Sequence, residues 1–245
     1  MTKPADLKPS SLRILLLGDP GTGKTALAMT LGEGTRVIDC DDGVSTGVNL
    51  KDKFYEDRMK VDVKVCIEDD PDKAIAFSKA QSFIEGAVRE SRASGSPKAL
   101  VVDSLTTLSE FCLRDVLRAN NRLRDHPQIQ DWGSRDLLMQ NLLVALRAFK
   151  GIVMLIAHVS RSEEDGIQKW MVSMQGAKLP PRIPSYFGEV WAMKAFRASQ
   201  GKTIYQVQTK ASSTVLARSR LNLDDNLDAG ELGMKGILKL RGIEI

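Results

Sequence analysis

A glycine-rich segment near the amino terminus constrains this chain more than any other feature of its sequence. Residues 18–25 read Gly-Asp-Pro-Gly-Thr-Gly-Lys-Thr and fit the pattern G-x-x-x-x-G-K-[ST]. An apolar run over 12–17 precedes the segment and predicts a buried strand, and good helix formers follow it over 26–31. A strand, a glycine loop and a helix in this order predict a phosphate-binding loop, or P-loop.

The P-loop residues predict how a nucleoside triphosphate would be held. Glycines let the backbone amides approach and surround the phosphates beside the positive end of the helix. We expect Lys24 to bind the β- and γ-phosphates and the Thr25 hydroxyl to ligate Mg²⁺, so ATP and Mg²⁺ are the expected cofactors. The predicted nucleotide-binding residues are Gly18, Asp19, Pro20, Gly21, Thr22, Gly23, Lys24, Thr25 and Ala26.

Length and composition bound the class of protein. The 245 residues, 42% hydrophobic and 27% charged, fit a flexible arm over 1–10 followed by a single domain over 11–245. The net charge of +4 permits nucleic-acid binding without requiring it. The three cysteines lack C-x-x-C spacing, so neither a disulfide framework nor a zinc site is expected. Without an export signal or a bilayer-length apolar stretch, we expect a cytoplasmic protein with no membrane partner.

Strand and helix patterns alternate after the P-loop. This alternation predicts an α/β fold with a mainly parallel central sheet flanked by helices. A long polar loop is expected over 159–184 and an antiparallel hairpin over 190–208, while the segment from Lys210 onward has no clear pattern. Asp70 is expected to cap the second predicted helix. The predicted strands lie at 12–17, 36–38, 61–67, 99–102 and 152–157, and the predicted helices after the first at 70–95, 105–119 and around 138–149.

Polar residues follow several predicted strands, and the carboxyl ends of parallel strands meet at one edge of a sheet. Asp103 is the expected Walker B carboxylate that holds Mg²⁺, with a helix N-cap as the alternative role. Asp41 is the first candidate to activate the attacking water, ahead of Asp42 and Asp39; a structural turn at Asp42 is the alternative. His158 is expected to sense the γ-phosphate, with a capping role as the alternative.

These motifs together resemble the RecA-like branch of P-loop ATPases. The similar segments are GDPGTGKT, the acidic tip VIDCDDG, ALVVDSLTTL with its Asp-Ser pair, and the strand MLIAHVSR. More specifically, the chain resembles the core-only RecA-like proteins of bacteriophages, which act in recombination and single-strand annealing, and IQDWG at 129–133 is similar to that group as well. The resemblance covers roughly residues 12–220, and it implies a bacterial host's cytoplasm if the chain is phage-encoded.

The resemblance also implies partners and roles. It implies head-to-tail homo-oligomers with nucleotide at the subunit interface, single-stranded DNA bound by the segment after His158 and by a smaller one over 120–132, and a single-strand DNA-binding protein as a further candidate partner. It implies a cation in trans at the γ-phosphate, for which Arg218 and Arg220 are candidates ahead of Lys210. The implied DNA-binding residues are Arg161, Lys169, Trp170, Lys178 and Arg182 after His158, and Arg122 and Arg124 in the smaller segment.

The leading hypothesis is an ATPase that binds single-stranded DNA and promotes homologous recombination or strand annealing. Because Glu163, Glu164 and Asp165 are interspersed among the cations after His158, a merely solvated loop is the alternative interpretation there. The competing functions are a hexameric helicase-like motor, a small-molecule kinase and an ATP-gated scaffold. ATP hydrolysis measured with and without single-stranded DNA tests the leading hypothesis.

Overall fold

A computed structural model describes residues 11–164, 166–198 and 201–244, without the side chain of Glu164. The arm predicted over 1–10 lies outside the described residues, as do Asp165 and, within the predicted 190–208 hairpin, Ser199 and Gln200. The division into an arm and one domain therefore stays a prediction. In the described part of the chain, no helix is both long and apolar enough to cross a bilayer.

Ten strands and seven α-helices are formed by the described residues. The strands are β1 Ser11–Leu17, β2 Thr35–Asp39, β3 Asp62–Val65, β4 Ala99–Asp103, β5 Gly151–Ala157, β6 Val159–Glu164, β7 Ile167–Val172, β8 Glu189–Arg197, β9 Thr203–Gln208 and β10 Leu227–Asp228. The helices are α1 Lys24–Met29, α2 Val44–Asn49, α3 Tyr55–Arg58, α4 Ala76–Ser94, α5 Leu105–Ala119, α6 Ile129–Ala145 and α7 Ala229–Lys239.

Eight of the strands form one central sheet in the order β10-β9-β8-β1-β5-β4-β2-β3. The strands from β8 to β3 run parallel to one another, and β9 and β10 extend the sheet in antiparallel pairings. This is the predicted α/β fold with a mainly parallel sheet and a C-terminal antiparallel hairpin, which is confirmed. The strand that leads into the P-loop lies in the interior of the sheet, between β5 and β8.

The two faces of the sheet are covered by different helices. Successive residues of β1 point to opposite faces. Leu15 and Leu17 join the core formed with α4, α5 and α6, whereas Ile14 and Leu16 join the core formed with α1 and α7. Burying each of these side chains stabilises the fold by about 1.5–3 kcal/mol relative to exposure. Both faces therefore hold β1, and with it the start of the P-loop, in a fixed position.

The segment predicted as a long polar loop over 159–184 is more ordered than expected, and that prediction is wrong. Residues of β6 and β7 pair antiparallel as a separate two-stranded sheet, from Val159 opposite Val172 to Glu164 opposite Ile167. A 3₁₀ helix over Pro180–Tyr186 follows the hairpin. Backbone pairing holds this hairpin together. Neither strand has the alternation of apolar and polar residues that would predict a strand from the sequence.

The start predicted for α4 is also wrong. Asp70 accepts a hydrogen bond from the amide of Asp72 at 2.9 Å and so closes a turn ahead of the helix. The helix begins at Ala76, whose amide donates to the Glu68 carboxylate at 3.0 Å. Its predicted end is confirmed, since Gly95 caps the helix at φ +75°, a conformation that favours glycine.

Candidate functional site

The strand ends that were predicted to carry the chemistry meet at one edge of the sheet. The pairing of neighbouring strands places these ends at the same height in the sheet. Asp39 lies opposite Asp103, Asp103 opposite Ile156, and Leu17 opposite Ala157. Because β5 lies between β1 and β4, His158 follows a strand end between the P-loop and Asp103. A cavity of about 530 Å³ opens there, lined by the P-loop and by the side chains that follow β2, β4 and β5.

The P-loop adopts the conformation that its glycines allow. Gly21 and Gly23 have φ values of +77° and +86°, and Gly23 is the N-cap of α1. A side chain at Gly18 is excluded, because its Cβ would lie 2.6 Å from the Met193 carbonyl oxygen of β8. The glycines therefore let the loop turn tightly and pack directly against the neighbouring strand.

The Lys24 side chain is fixed in the P-loop by hydrogen bonds to backbone carbonyl oxygens of the loop. This side chain is buried, and Nζ donates to the carbonyl oxygens of Gly18 at 3.0 Å and Asp19 at 2.8 Å. Burial lowers the pKa of Lys24, while the nearby carboxylates of Asp103 and Asp41 act in the opposite direction. An ammonium group that is already stripped of much of its water gains strongly from phosphate oxygens.

Thr25 and Asp103 form a pair that fits a magnesium ion. The Thr25 hydroxyl donates to Asp103 Oδ2 at 2.5 Å, and both groups are hard oxygen ligands of the kind that Mg²⁺ takes together with phosphate and water. A Cβ at Gly43 would lie 3.2 Å from the Thr25 hydroxyl and 3.6 Å from Asp103 Oδ2, so glycine keeps the space beside the pair open. Burial raises the pKa of Asp103 to about 6, and a bound cation would favour its ionised form.

The three aspartates after β2 have different surroundings. Asp39 is buried and its carboxylate accepts the backbone amides of Asp41, Gly43 and Val44 at 3.1–3.2 Å, so it holds the turn in place. Asp42 is exposed at φ +56°, as in the structural turn weighed as its alternative. Of the three, Asp41 is the one that lines the cavity, together with Gly43.

Asp41 and His158 both line the cavity and contact each other. His158 Nε2 lies 3.2 Å from Asp41 Oδ2. Burial alone would raise the pKa of Asp41, but its interactions with His158, Thr107 and Ser104 together outweigh burial, and the pKa lies below its ordinary value. Asp41 Oδ1 and His158 Nδ1 are buried and have no hydrogen-bond partner among the described residues. Buried polar atoms without partners are costly, so this pair suits a site completed by a ligand or an attacking water.

Sequence reasoning missed the far wall of the cavity, which is formed by the C-terminal part of the chain. Tyr205 of β9 and Met193 of β8 pack against the P-loop, where a Cβ on Gly23 would lie 3.1 Å from the Tyr205 ring and 3.2 Å from the Met193 methyl group. Ala229 and Gly230, at the start of α7, line the same wall. An aromatic ring and a thioether beside the P-loop offer an apolar surface for a nucleotide base.

The predicted DNA-binding residues after His158 lie on the β6–β7 hairpin and beyond it. Arg161 pairs with Asp19 of the P-loop at 2.8 Å. Trp170 is half-buried and packs beside Ala192, Val215 and Ala217. The other three have different exposures: Lys169 is half-buried, and Lys178 and Arg182 are exposed.

The two arginines of the smaller predicted segment are engaged in ion pairs. Arg122 Nη2 lies 2.7 Å from Asp131 Oδ2, and the same carboxylate accepts the amide of Gln128 as part of the N-terminal cap of α6. Arg124 binds the carboxylate of Asp72 through both oxygens, at 2.8 and 3.0 Å. The geometry therefore favours a structural role for Arg122, and a DNA-binding role for either residue stays a prediction.

The candidates for a cation in trans lie away from the P-loop of their own chain. Arg218 Nη2 donates to the carbonyl oxygens of Pro184 at 3.0 Å and Phe187 at 2.6 Å, next to the start of β8. Arg220 lines a second cavity at the amino ends of β1, β5 and β8. Lys210 is exposed after the end of β9. None of these positions tests a role at a neighbouring subunit.

The P-loop between β1 and α1, and a carboxylate hydrogen-bonded to its threonine from β4, define a P-loop NTPase core. A model of the AAA domain family matches residues 10–221, so this chain belongs to that family. Membership of the family supports ATP binding and hydrolysis. No curated protein matches the sequence significantly.

One solved structure with a similar fold is a prototypical ATPase from the type III secretion system of pathogenic bacteria. It is 18% identical, with a TM-score of 0.47 over 75% of this chain and 52% of that ATPase. This chain therefore spans about half the length of that ATPase, and a similarity this distant says nothing about what this chain acts on.

Proposed function

We propose that this protein is a Mg²⁺-dependent ATPase that binds single-stranded DNA and promotes homologous recombination or strand annealing, as the RecA-like core-only proteins of bacteriophages do. One observation carries the proposal. The β6–β7 hairpin starts directly after His158, and its Arg161 is paired with Asp19 of the P-loop. The polar hairpin is therefore connected to the expected triphosphate site in two ways, by the chain that continues from His158 and by the ion pair between Arg161 and Asp19.

The hydrolytic roles follow from the positions of the side chains. Lys24 and the loop amides bind the β- and γ-phosphates, while Asp41 orients the attacking water and accepts its proton. His158 fixes Asp41 through the 3.2 Å contact and meets the γ-phosphate from the end of β5. Magnesium, held through Thr25 and Asp103, would offset the negative charge of the phosphates.

Coupling to DNA runs through the hairpin. Loss of the γ-phosphate changes the charge that faces His158, and the next residue already belongs to β6. Binding of a triphosphate also brings negative charge close to the Asp19–Arg161 pair, where it repels the Asp19 carboxylate and attracts the Arg161 guanidinium, so the position of Arg161 depends on the nucleotide. Both changes move the hairpin in step with the nucleotide.

The DNA would lie along the cationic side chains after His158. Lys178 and Arg182 are exposed and suited to phosphates, whereas Trp170 offers less stacking surface than the sequence implied because it is half-buried. Assembly into a head-to-tail homo-oligomer would bring Arg218 or Arg220 to a neighbouring nucleotide, and a single-strand DNA-binding protein is a proposed recruiting partner.

The experiment is ATP hydrolysis with and without a single-stranded oligonucleotide, together with DNA binding by fluorescence anisotropy at low salt. We expect DNA to stimulate hydrolysis by the native protein. The double variant Lys178→Gln, Arg182→Gln loses stimulation and binds DNA about tenfold or more weakly, because two phosphate contacts are removed. The double variant Lys79→Gln, Arg89→Gln removes the same charge from exposed positions of α4 and should behave as the native protein does.

Other outcomes would replace parts of the proposal. Hydrolysis without any DNA binding at low salt would overturn the nucleic-acid part and leave the NTPase part standing. Directional unwinding of a forked duplex would favour the hexameric helicase-like motor. Phosphate transfer to a nucleoside or nucleotide would favour the small-molecule kinase, and tight ATP binding without phosphate release would favour the scaffold.

A further inference from the structure

A second large cavity lies at the edge of the sheet opposite the nucleotide cavity. It has a volume of about 980 Å³ and opens at the amino ends of β1, β5 and β8. We call it the basic cleft. Five basic side chains line it, and none of them forms an ion pair with a carboxylate of the described residues: Arg13, Lys98, Arg147, Lys150 and Arg220.

The two acidic residues that line the cleft offset only part of the charge of the five cations. Glu189 is buried, and its two oxygens accept the Trp191 indole N–H at 2.9 Å and the amides of Arg220 at 2.7 Å and Leu221 at 3.0 Å. Its hydrogen-bonding capacity is therefore taken up inside the fold by uncharged donors. Glu244 is exposed and makes no ion pair with the described cations.

Two arginines are held close together on one side of the cleft. Arg13 Nη2 donates to the carbonyl oxygen of Arg147 at 2.8 Å, while its buried Nε has no hydrogen-bond partner among the described residues. Burial lowers the pKa of Arg13, and the neighbouring charge of Arg147 lowers it further. Like charges kept together with an unused donor are stabilised by an anion, and guanidinium groups bind phosphates with two parallel hydrogen bonds.

An aromatic ring lies beside these charges. The guanidinium carbon of Arg147 is 5.5 Å from the centre of the half-buried Tyr186 ring. Leu12, Ile152 and Phe187 add apolar surface to the same cleft. Phosphate-binding groups, an aromatic ring and apolar walls together match a nucleotide, whose base stacks on rings and whose phosphate needs cations.

We propose that the basic cleft binds a nucleotide unit, with its phosphate on Arg13 and Arg147 and its base against Tyr186. The unit is either a free nucleotide or part of a single strand, and both share this chemistry. The proposal does not depend on the proposed function, because the cleft shares no lining residue with the nucleotide cavity and the phosphate is placed on Arg13 and Arg147 and not on Arg220. An acidic segment of a second copy of this chain is the competing occupant.

The test measures binding by isothermal titration calorimetry at low salt with EDTA, using the full chain with Lys24→Ala to weaken the P-loop site. The probes are thymidine 3′,5′-bisphosphate and unlabelled dT10. Adding Arg13→Gln and Arg147→Gln should weaken binding at least tenfold and make the salt dependence shallower by about two in log–log slope. The matched control adds Arg197→Gln, an exposed cation at the other end of β8, and should bind within twofold of its parent.

The outcomes distinguish a free nucleotide from a single strand as the ligand, and they can overturn the proposal. If the double arginine variant loses binding of both probes, the ligand is a free nucleotide. If it loses binding of dT10 alone, the ligand is a single strand. Equal binding by the parent and the double arginine variant overturns the proposal, as does no binding of either probe to the parent. A change in oligomeric state without any change in probe binding also overturns it, in favour of the second copy. If the arginine variant is unfolded by circular dichroism, the exposed pair Lys98→Gln, Lys150→Gln replaces it, with a weakening of about threefold or more expected.

Discussion

Replacing Asp41 by asparagine should nearly abolish ATP hydrolysis while leaving ATP binding almost unchanged. Asparagine keeps the size of the side chain but cannot accept a proton from the attacking water. The Asp41 side chain is 19% exposed and contacts His158 Nε2 at 3.2 Å. It is therefore largely shielded from bulk solvent but can still contact a bound ligand. Lys24 and the loop amides, which would bind the phosphates, are untouched.

The expected size of the effect follows from the role assigned to the carboxylate. A positioned general base contributes about 10²–10⁴-fold to a rate. At 1.36 kcal/mol for each tenfold change, kcat should therefore fall by the equivalent of about 3–5 kcal/mol. ATP affinity should change by less than about threefold, since the charge that is removed lies on the water side of the γ-phosphate.

The neighbouring aspartates supply matched controls. Asp42→Asn should keep kcat within about twofold, because Asp42 is exposed and asparagine tolerates its φ of +56°. Asp39→Asn should lower stability by about 1–3 kcal/mol, since the buried carboxylate accepts three backbone amides and an amide group has only one oxygen. The three variants carry the same chemical change at three different kinds of position.

The assay is steady-state hydrolysis for kcat and single-turnover hydrolysis for the chemical step, combined with calorimetric ATP binding and urea denaturation of each variant. The reasoning is refuted if Asp42→Asn is the inactive variant and Asp41→Asn is active. It is equally refuted if Asp41→Asn loses ATP binding in proportion to its loss of rate. The carboxylate would then contribute to the binding of ATP and not specifically to the transition state of hydrolysis.

Three further predictions concern backbone and charge. Gly233→Ala should destabilise the fold by about 2 kcal/mol in urea denaturation, because the glycine has φ +59° and its Cβ would lie 2.8 Å from the Phe54 ring; no loss would contradict this packing. Gly23→Ala should weaken ATP binding at least tenfold by calorimetry, since φ there is +86° and the P-loop would be distorted; native affinity would contradict the loop geometry. Arg122→Gln should lower Tm by clearly more than Arg124→Gln, which should change it by less than about 2 °C; equal Tm values with equal losses of DNA binding would restore the predicted DNA role of both.

Local patterns made much of the fold predictable. The P-loop pattern lies within a few residues and specifies its own strand, turn and helix, and the 190–208 hairpin has two alternating strands around a turn. The C-terminal helix α7 was not predicted, although Asp228 and Glu231 have the spacing typical of a helix start, and in the structure Asp228 accepts the amide of Glu231 at 3.0 Å. Gly233, at a non-helical ψ of 179°, interrupts the helix and weakened that signal.

Other features depend on contacts between distant parts of the chain. Strand β6 begins Val-Ser-Arg-Ser and so shows no apolar face, which is why a paired hairpin resembled a loop. Tyr205 reaches the P-loop because β8 and β9 follow β1 on one side of the sheet. This order of strands cannot be inferred from the sequence of the P-loop or of the hairpin alone. The different roles of Asp39, Asp41 and Asp42 likewise depend on which amides and side chains surround them after folding.

The central claim is that a triphosphate is gripped where the P-loop meets the ends of β4 and β5. Calorimetric titration of the native protein and of Lys24→Ala with ATP in the presence of Mg²⁺ tests it most directly. We predict saturable binding at one site per chain for the native protein and at least 100-fold weaker binding for the variant, because a charge-assisted contact in a desolvated loop is lost. Absence of binding to the native protein, or equal affinity of the two proteins, would contradict the claim.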